Sequence, residues 1–226
     1  MSIEIYSKTI TPAIAGVLFD MDGLVLDTEK LYSRFWMEAC HFYGFPMTYE
    51  QSLKMRAANS QVGAENLRGF FGPDIDYVTV RNKRIELMDG FIAENGVEPK
   101  PGIFELMDFL EEQGIPAAIC SSSPRNRIQE HLGSLGVYHR FAAICSGYDV
   151  PCGKPAPDIY LHGAASLNLK PEECLALEDA PLGIESAFRA GCIPVMIPDQ
   201  APPDAKTKAM LYGQADSLLD IIELLK

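Results

Sequence analysis

The sequence predicts an α/β protein, a doubly wound Rossmann-like parallel sheet with a small all-helical segment inserted after its first strand. Three observations predict it. From Ile115 onward, short apolar runs alternate with helix-length amphipathic segments, the pattern of crossover units feeding a parallel sheet. Residues 29–96 keep a helical texture with no strand pattern. The first apolar run, Ile14 to Phe19, ends in Asp20-Met21-Asp22-Gly23, so polar groups stand at the carboxyl end of a buried strand. In open α/β sheets that end is where ligands bind.

Taken in order, the run to Phe19 is the first strand. A helix follows, capped by Thr28, with Leu31, Phe35, Ala39 and Phe42 recurring on one face and Gly44-Phe45-Pro46 stopping it. Leu53, the block Val62–Phe71, and Val80, Ile85, Leu87 and Ile92 mark further apolar helical faces, divided at Gly72-Pro73. The expected division is therefore a core of residues 1–28 and 97–226 around a helical insert at 29–96. After Lys100-Pro101-Gly102, Ile103, Leu106, Met107 and Leu110 form an amphipathic helix ending at Gly114. Strands are expected at Ile115–Cys120, Phe141–Cys145, Leu175–Leu177 and Ile193–Ile197. Helices are expected near Asn126–Leu135, Ala156–Leu167, Gly183–Ala190 and Ser217–Leu225.

At 226 residues the chain has room for one large domain or a core with a smaller insert. Its 31 acidic against 19 basic residues, net −12, argue against a nucleic-acid surface, which needs basic patches. An anionic small molecule stays possible, because one lysine and a metal can reverse the field inside a cleft. Met1–Thr11 carries only Lys8 as a base and no apolar signal-like segment, and no apolar run approaches a membrane span. The six cysteines lack CxxC spacing and several sit in apolar runs, so free buried thiols, a cytoplasmic location and no zinc site are expected. A monomer without nucleic-acid or membrane partners is the expectation.

Four expected strand ends carry polar groups: Asp20 and Asp22, Ser121, the loop with Lys154, and Glu178 with Asp179. A parallel sheet gathers such ends along one edge. In an extended segment Asp20 and Asp22 point the same way, and two carboxylates so close need a proton or a cation between them. Asp20 suits a nucleophile that attacks phosphorus. A carboxylate attacking a phosphate dianion needs a divalent cation, and Asp20, Asp179 and Glu178 offer the hard oxygens Mg²⁺ prefers. Asp22 suits a general acid that protonates the leaving oxygen and then a base that activates water. Taken alone, Asp-x-Asp-Gly also occurs in plain turns and calcium loops. Ser121 and Ser122, just before a helix, suit a phosphoryl group, with Ser123 left to cap; a helix cap explains serines there equally well. Lys154 sits in Gly153-Lys154-Pro155-Ala156-Pro157-Asp158, where prolines stiffen the loop, against the alternative of a solvated lysine. Glu178 and Asp179 could instead favour the dipole of the next helix.

Together these residues resemble the haloacid dehalogenase superfamily over nearly the whole chain, in its β-phosphoglucomutase-like branch with a helical cap. The stretches Asp22-Gly23-Leu24-Val25-Leu26-Asp27-Thr28-Glu29 and Glu178-Asp179-Ala180-Pro181-Leu182-Gly183-Ile184-Glu185 carry the likeness, the latter similar to pseudouridine 5′-phosphatases. The resemblance implies a Mg²⁺-dependent phosphomonoester hydrolase. Asp20 would be nucleophile and metal ligand, and Asp22 the acid/base with its backbone carbonyl on the metal. Ser121 and Lys154 would hold the phosphoryl group, Asp179 would ligate the metal, and Glu178 would ligate or support it. Two departures stand out. Tyr32 occupies the place of the mutases' histidine, which favours plain hydrolysis of a sugar phosphate or nucleotide-like metabolite. The cap loop near Lys54, Arg56 and Asn59, the candidate substrate contacts, lacks the usual glycine; for Arg56 a solvated helix face is the alternative. The competing functions are a β-phosphoglucomutase-type mutase and a non-catalytic binding protein that keeps the fold. Asp22 argues against the latter, and also against dehalogenation, whose enzymes lack the second aspartate.

Overall fold

The computed structural model describes residues 3–6, 14–55, 60–199 and 202–226. They form two compact units, Met1–Leu26 with Pro99–Lys226, and Asp27–Glu98.

The first unit is built on a seven-stranded sheet. Its strands are β1 (Ile3–Ile5), β2 (Gly16–Phe19), β3 (Ala117–Ser121), β4 (Ala143–Ser146), β5 (Cys174–Glu178), β6 (Ile193–Met196) and β7 (Gly213–Ala215). Their order is β1-β7-β6-β5-β2-β3-β4, parallel except for β1, which runs antiparallel to β7. Val17, Leu18 and Phe19 are all fully buried, as are Leu175, Ala176 and Leu177. Successive strand residues face opposite ways, so both faces of the sheet are covered. On one of them Leu18, Ala118, Cys120 and Ala176 form a core with Ile159, Tyr160 and Ala164.

From β2 the chain winds outward through β3 to β4, then returns to lay β5 on the other side of β2 and winds outward through β6 to β7. The β2–β5 junction is therefore the switch point at which strand order reverses and a crevice opens beyond the strand ends. The helices of this unit are α5 (Ile103–Gln113), α6 (Arg125–Ser134), α7 (Asp158–Ser166), α8 (Pro181–Ala190), α9 (Ala205–Lys208) and α10 (Leu218–Leu225). Helix α7 packs on β2, β3 and β4 and against α8.

The second unit holds α1 (Glu29–Phe42), α2 (Tyr49–Leu53), α3 (Ser60–Phe71) and α4 (Tyr77–Asn95). Trp36, Ala39, Cys40, Met47, Leu67 and Val80 form its core, and the Trp36 and Tyr77 rings stack with centroids 5.9 Å apart. Thr48 and Gln51 make a reciprocal capping box at α2. The two crossings between units run side by side. Leu26 bridges Pro99, and the Lys100 amide donates to the Val25 carbonyl at 2.9 Å.

Two local expectations fail. Thr28 stands at the start of α1 in helical backbone conformation and makes no side-chain cap, since a capping hydroxyl needs the extended backbone that Thr48 has. Phe42 is exposed, and the buried stripe instead runs through Phe35, Trp36, Ala39 and Cys40. Position 42 falls in the last turn, past the end of the packed face, where its ring lies under the Lys83 ammonium. Five of the six free cysteines are buried; Cys152 is exposed. Among the described residues no helix is long and apolar enough to cross a membrane.

Candidate active site

Three carboxylates meet at the switch point. Asp20 follows β2 directly, and its amide donates to the Leu177 carbonyl of β5 at 3.0 Å, which fixes the chain where the strand stops. Glu178 closes β5 and Asp179 comes next. One oxygen each from Asp20, Glu178 and Asp179 lies within 4.8 Å of the others. Asp20 and Glu178 are buried.

Lys154 enters from the loop between β4 and α7, next to a cis Lys154–Pro155 bond. Its Nζ donates to Asp20 Oδ1 at 2.5 Å and to Glu178 Oε1 at 2.6 Å. The lysine side chain is 9% exposed, so it is not the solvated lysine its residue type usually supplies. One ammonium thus ties together the ends of β2 and β5 and the loop after β4.

Glu178 is held from two more sides. The Tyr160 hydroxyl of α7 donates a short hydrogen bond to the same Oε1. Behind the carboxylate lies Gly183, where a Cβ would fall 1.9 Å from the Glu178 Cδ. Only a glycine lets α8 start this close to a carboxylate. Neither acid caps α8: its N-cap is Ala180, without a side-chain cap, and Pro181 fills the first turn.

Of the three serines, Ser123 departs from the part expected of it. Ser121 ends β3, is buried, and its Oγ accepts the Ser123 amide at 3.0 Å. Ser122 is exposed. Ser123 does not cap α6, whose N-cap is Pro124. Its Oγ donates instead to Asp22 Oδ2 at 3.0 Å, and its carbonyl accepts Ser146 Oγ at 2.7 Å from the end of β4. Asp22 lies outside the three-carboxylate cluster. Strand β2 ends at Phe19, so Asp20 and Asp22 both lie beyond its regular extended geometry, and Gly23 then turns the chain at φ 88°. Asp22 is still near enough to raise the Asp20 pKa.

The Asp20 carboxyl is raised to about 8: burial pushes it up most, Lys154 pulls it down, and Glu178 and Asp22 push it up. Burial works against the Lys154 ammonium, yet Asp20 and Glu178 beside it hold its pKa above the ordinary lysine value. Lys154 is therefore a fixed positive charge. Burial, and then the negative Glu178 and Asp20, hold the Tyr160 phenol well above its usual range, so it acts as a donor. The cluster has three carboxylates and Asp22 nearby against one ammonium. Its donors are all carboxylate oxygens, the set that fits a hard divalent cation.

Of the proposed cap residues, Lys54 stands at the C-cap of α2, exposed, with its Nζ 5.9 Å from the Phe70 ring centroid. Arg56 and Asn59 lie outside the described residues. Tyr32 packs its ring 4.7 Å from the Arg84 guanidinium. Sequence reasoning missed two contacts at this site, Ser123 to Asp22 and Tyr160 to Glu178. Tyr160 could have been suspected from its place six residues after Lys154 in a helix whose neighbours are apolar.

The chain matches the haloacid dehalogenase-like hydrolase family over residues 14–191. It is 30% identical over 176 residues to a phosphorylated carbohydrates phosphatase of Thermotoga maritima, covering 78% of this chain and 81% of that one. It is 32% identical over 192 residues to hexitol phosphatase A of Escherichia coli, covering 84% of each. Among solved structures, β-phosphoglucomutase of Clostridium difficile superposes with a TM-score of 0.74 at 22% identity, covering 94% of this chain and 97% of that one, which shows a shared fold.

Proposed function

We propose, from the premise that this chain belongs to the haloacid dehalogenase-like hydrolase family and is a phosphatase of small phosphomonoesters, that it works through an aspartyl-phosphate on Asp20 with Mg²⁺ bound. Its substrate is a sugar phosphate or a nucleotide-like metabolite. The observation that carries the reading is the Lys154 ammonium, bridging Asp20 and Glu178 at 2.5 and 2.6 Å inside a cluster of acids at the switch point. A purely structural buried pair would need one carboxylate, not three.

In the first step an Asp20 carboxylate oxygen attacks phosphorus, and the phosphorus–ester oxygen bond breaks. The departing oxygen takes a proton from Asp22, and the product alcohol leaves. In the second step Asp22 removes a proton from water as that water attacks the same phosphorus, and the bond to Asp20 breaks. Inorganic phosphate leaves, and Asp20 and the protonated Asp22 are regenerated. Lys154, Ser121 and Ser122 hold the non-bridging oxygens, and Ser123 orients Asp22 from the side. Asp20, Glu178, Asp179 and the Asp22 carbonyl would hold Mg²⁺, which would supply the positive charge that lets a carboxylate approach a phosphate dianion.

Hydrolysis is favoured over phosphosugar mutation because Tyr32 brings no imidazole to the place the mutases fill with histidine. Lys54, Arg56 and Asn59 are assigned to leaving-group choice, to be tested by alanine variants that reorder substrate preference without abolishing turnover. The six free cysteines support a reducing compartment such as the cytoplasm.

The deciding experiment is a phosphate-release screen over sugar phosphates and nucleoside monophosphates, with Mg²⁺ and with chelator, beside Asp20→Asn. Mg²⁺-dependent release by the wild type and none by the variant is expected. Release by Asp20→Asn at the wild-type rate would remove Asp20 as nucleophile. Interconversion of β-glucose 1-phosphate and glucose 6-phosphate without net release would make the enzyme a mutase.

A further inference from the structure

We propose that Tyr160 is a positioning residue for this centre: its hydroxyl supports Glu178 so that Lys154 can be shared with the phosphoryl group. The inference rests on the Mg²⁺-phosphatase reading above.

Tyr160 lies in the first turns of α7 and is fully buried in the core beside Leu18, Cys120 and Ala176. Phenylalanine would fill that space as well. A hydroxyl there is unfavourable unless it finds a partner, and this one donates to Glu178 Oε1. The same oxygen accepts from Lys154, whose Nζ stands 5.2 Å from the Tyr160 ring centroid. Gly183 and α8 close the space behind the carboxylate, so Glu178 cannot withdraw.

The lysine therefore serves two anions, Asp20 and Glu178, before any substrate arrives. A bound phosphoryl group is a third claimant on its three N–H donors. Without Tyr160, each share of Lys154 given to phosphate would leave a buried Glu178 oxygen without a donor. With Tyr160, that oxygen keeps one. Because the phenol is neutral, it gives this support without adding positive charge beside a cation site. It also fixes which Glu178 oxygen is taken, since Lys154 and Tyr160 both use Oε1. Hydrogen-bond partners behind a metal ligand characteristically contribute 10–100-fold to metal affinity.

The test is Tyr160→Phe, which removes one oxygen and keeps the ring. Mg²⁺ affinity is measured calorimetrically in the absence of substrate, and inorganic phosphate is titrated as a product inhibitor. The expected result is a Mg²⁺ dissociation constant raised about tenfold, with a weaker phosphate inhibition constant. In parallel, 3-fluorotyrosine placed at position 160 of the otherwise native chain should show a ¹⁹F shift when Mg²⁺ and then phosphate are added. This second measurement does not depend on the variant folding. A variant that binds Mg²⁺ and phosphate as the wild type does, or a silent ¹⁹F signal, would reduce Tyr160 to core packing. A wild-type protein that binds no Mg²⁺ overturns the underlying phosphatase reading, and this inference with it.

Discussion

Gly183→Ala is the most informative single change the structure suggests. The added Cβ would sit 1.9 Å from Glu178 Cδ and Oε1 and 2.1 Å from Oε2, where real Cβ atoms essentially never come nearer than 3.0 Å. The carboxylate must retreat by about 1 Å, and its other sides are occupied by Lys154 and Tyr160. Both hydrogen bonds reach a buried charged group, and such bonds contribute about 1.5–3 kcal/mol each. Losing much of both gives an expected destabilisation of about 3 kcal/mol or more, a large share of a typical domain's stability. A displacement of this size near reacting groups also costs activity about 100-fold. Urea denaturation and Mg²⁺-dependent phosphate release measure the two effects. Gly90→Ala is the control, since Gly90 lies inside α4 with nothing within 4 Å of an added Cβ. It should stabilise by about 0.5–1 kcal/mol. If Gly183→Ala matches Gly90→Ala in both stability and activity, the pinned Glu178 plays no part in the site.

Three further outcomes follow from the same geometry. Asp22→Asn should slow breakdown of a trapped aspartyl-phosphate, loaded from a substrate whose leaving oxygen needs no proton, by about 100-fold or more; breakdown at the wild-type rate would show that Asp22 is not the base. Ser123→Ala removes the donor 3.0 Å from Asp22 and should lower kcat about tenfold with KM nearly unchanged, Ser123→Thr restoring much of it. A change confined to KM would place Ser123 in ground-state binding instead. Lys154→Met leaves Asp20 and Glu178 buried without their cation and should destabilise the metal-free protein by about 3–5 kcal/mol. Urea midpoints in chelator, unchanged from wild type, would show that the ion pairs contribute nothing.

The strands that carry the site were legible because each is an uninterrupted apolar run ending in a polar residue. That pattern located Asp20, Ser121 and Glu178 at strand ends, and the proline-rich loop marked Lys154. The helical insert was legible from periodicity alone. Strands β1 and β7 were not expected. Each is three residues long, and Gly213-Gln214-Ala215 has no apolar run to announce it; it is a strand because β6 and β1 flank it. The side-chain contacts of Ser123 and Tyr160 were hidden for a different reason. Ser123 meets a residue 101 positions away, and Tyr160 one 18 positions away across a crossover. No local pattern encodes such a meeting; the register of separate strands creates it.

The Leu26–Pro99 bridge has a consequence for how this architecture tolerates change. The chain departs and comes home through one stitched doorway, so whatever is spliced between these two residues asks nothing of the sheet except that its ends be close. A short glycine-serine tether joining them should leave the seven strands intact, and a foreign module of any length with neighbouring termini should be accepted in its place. New modules can then be tried at this joint while the seven strands are left untouched.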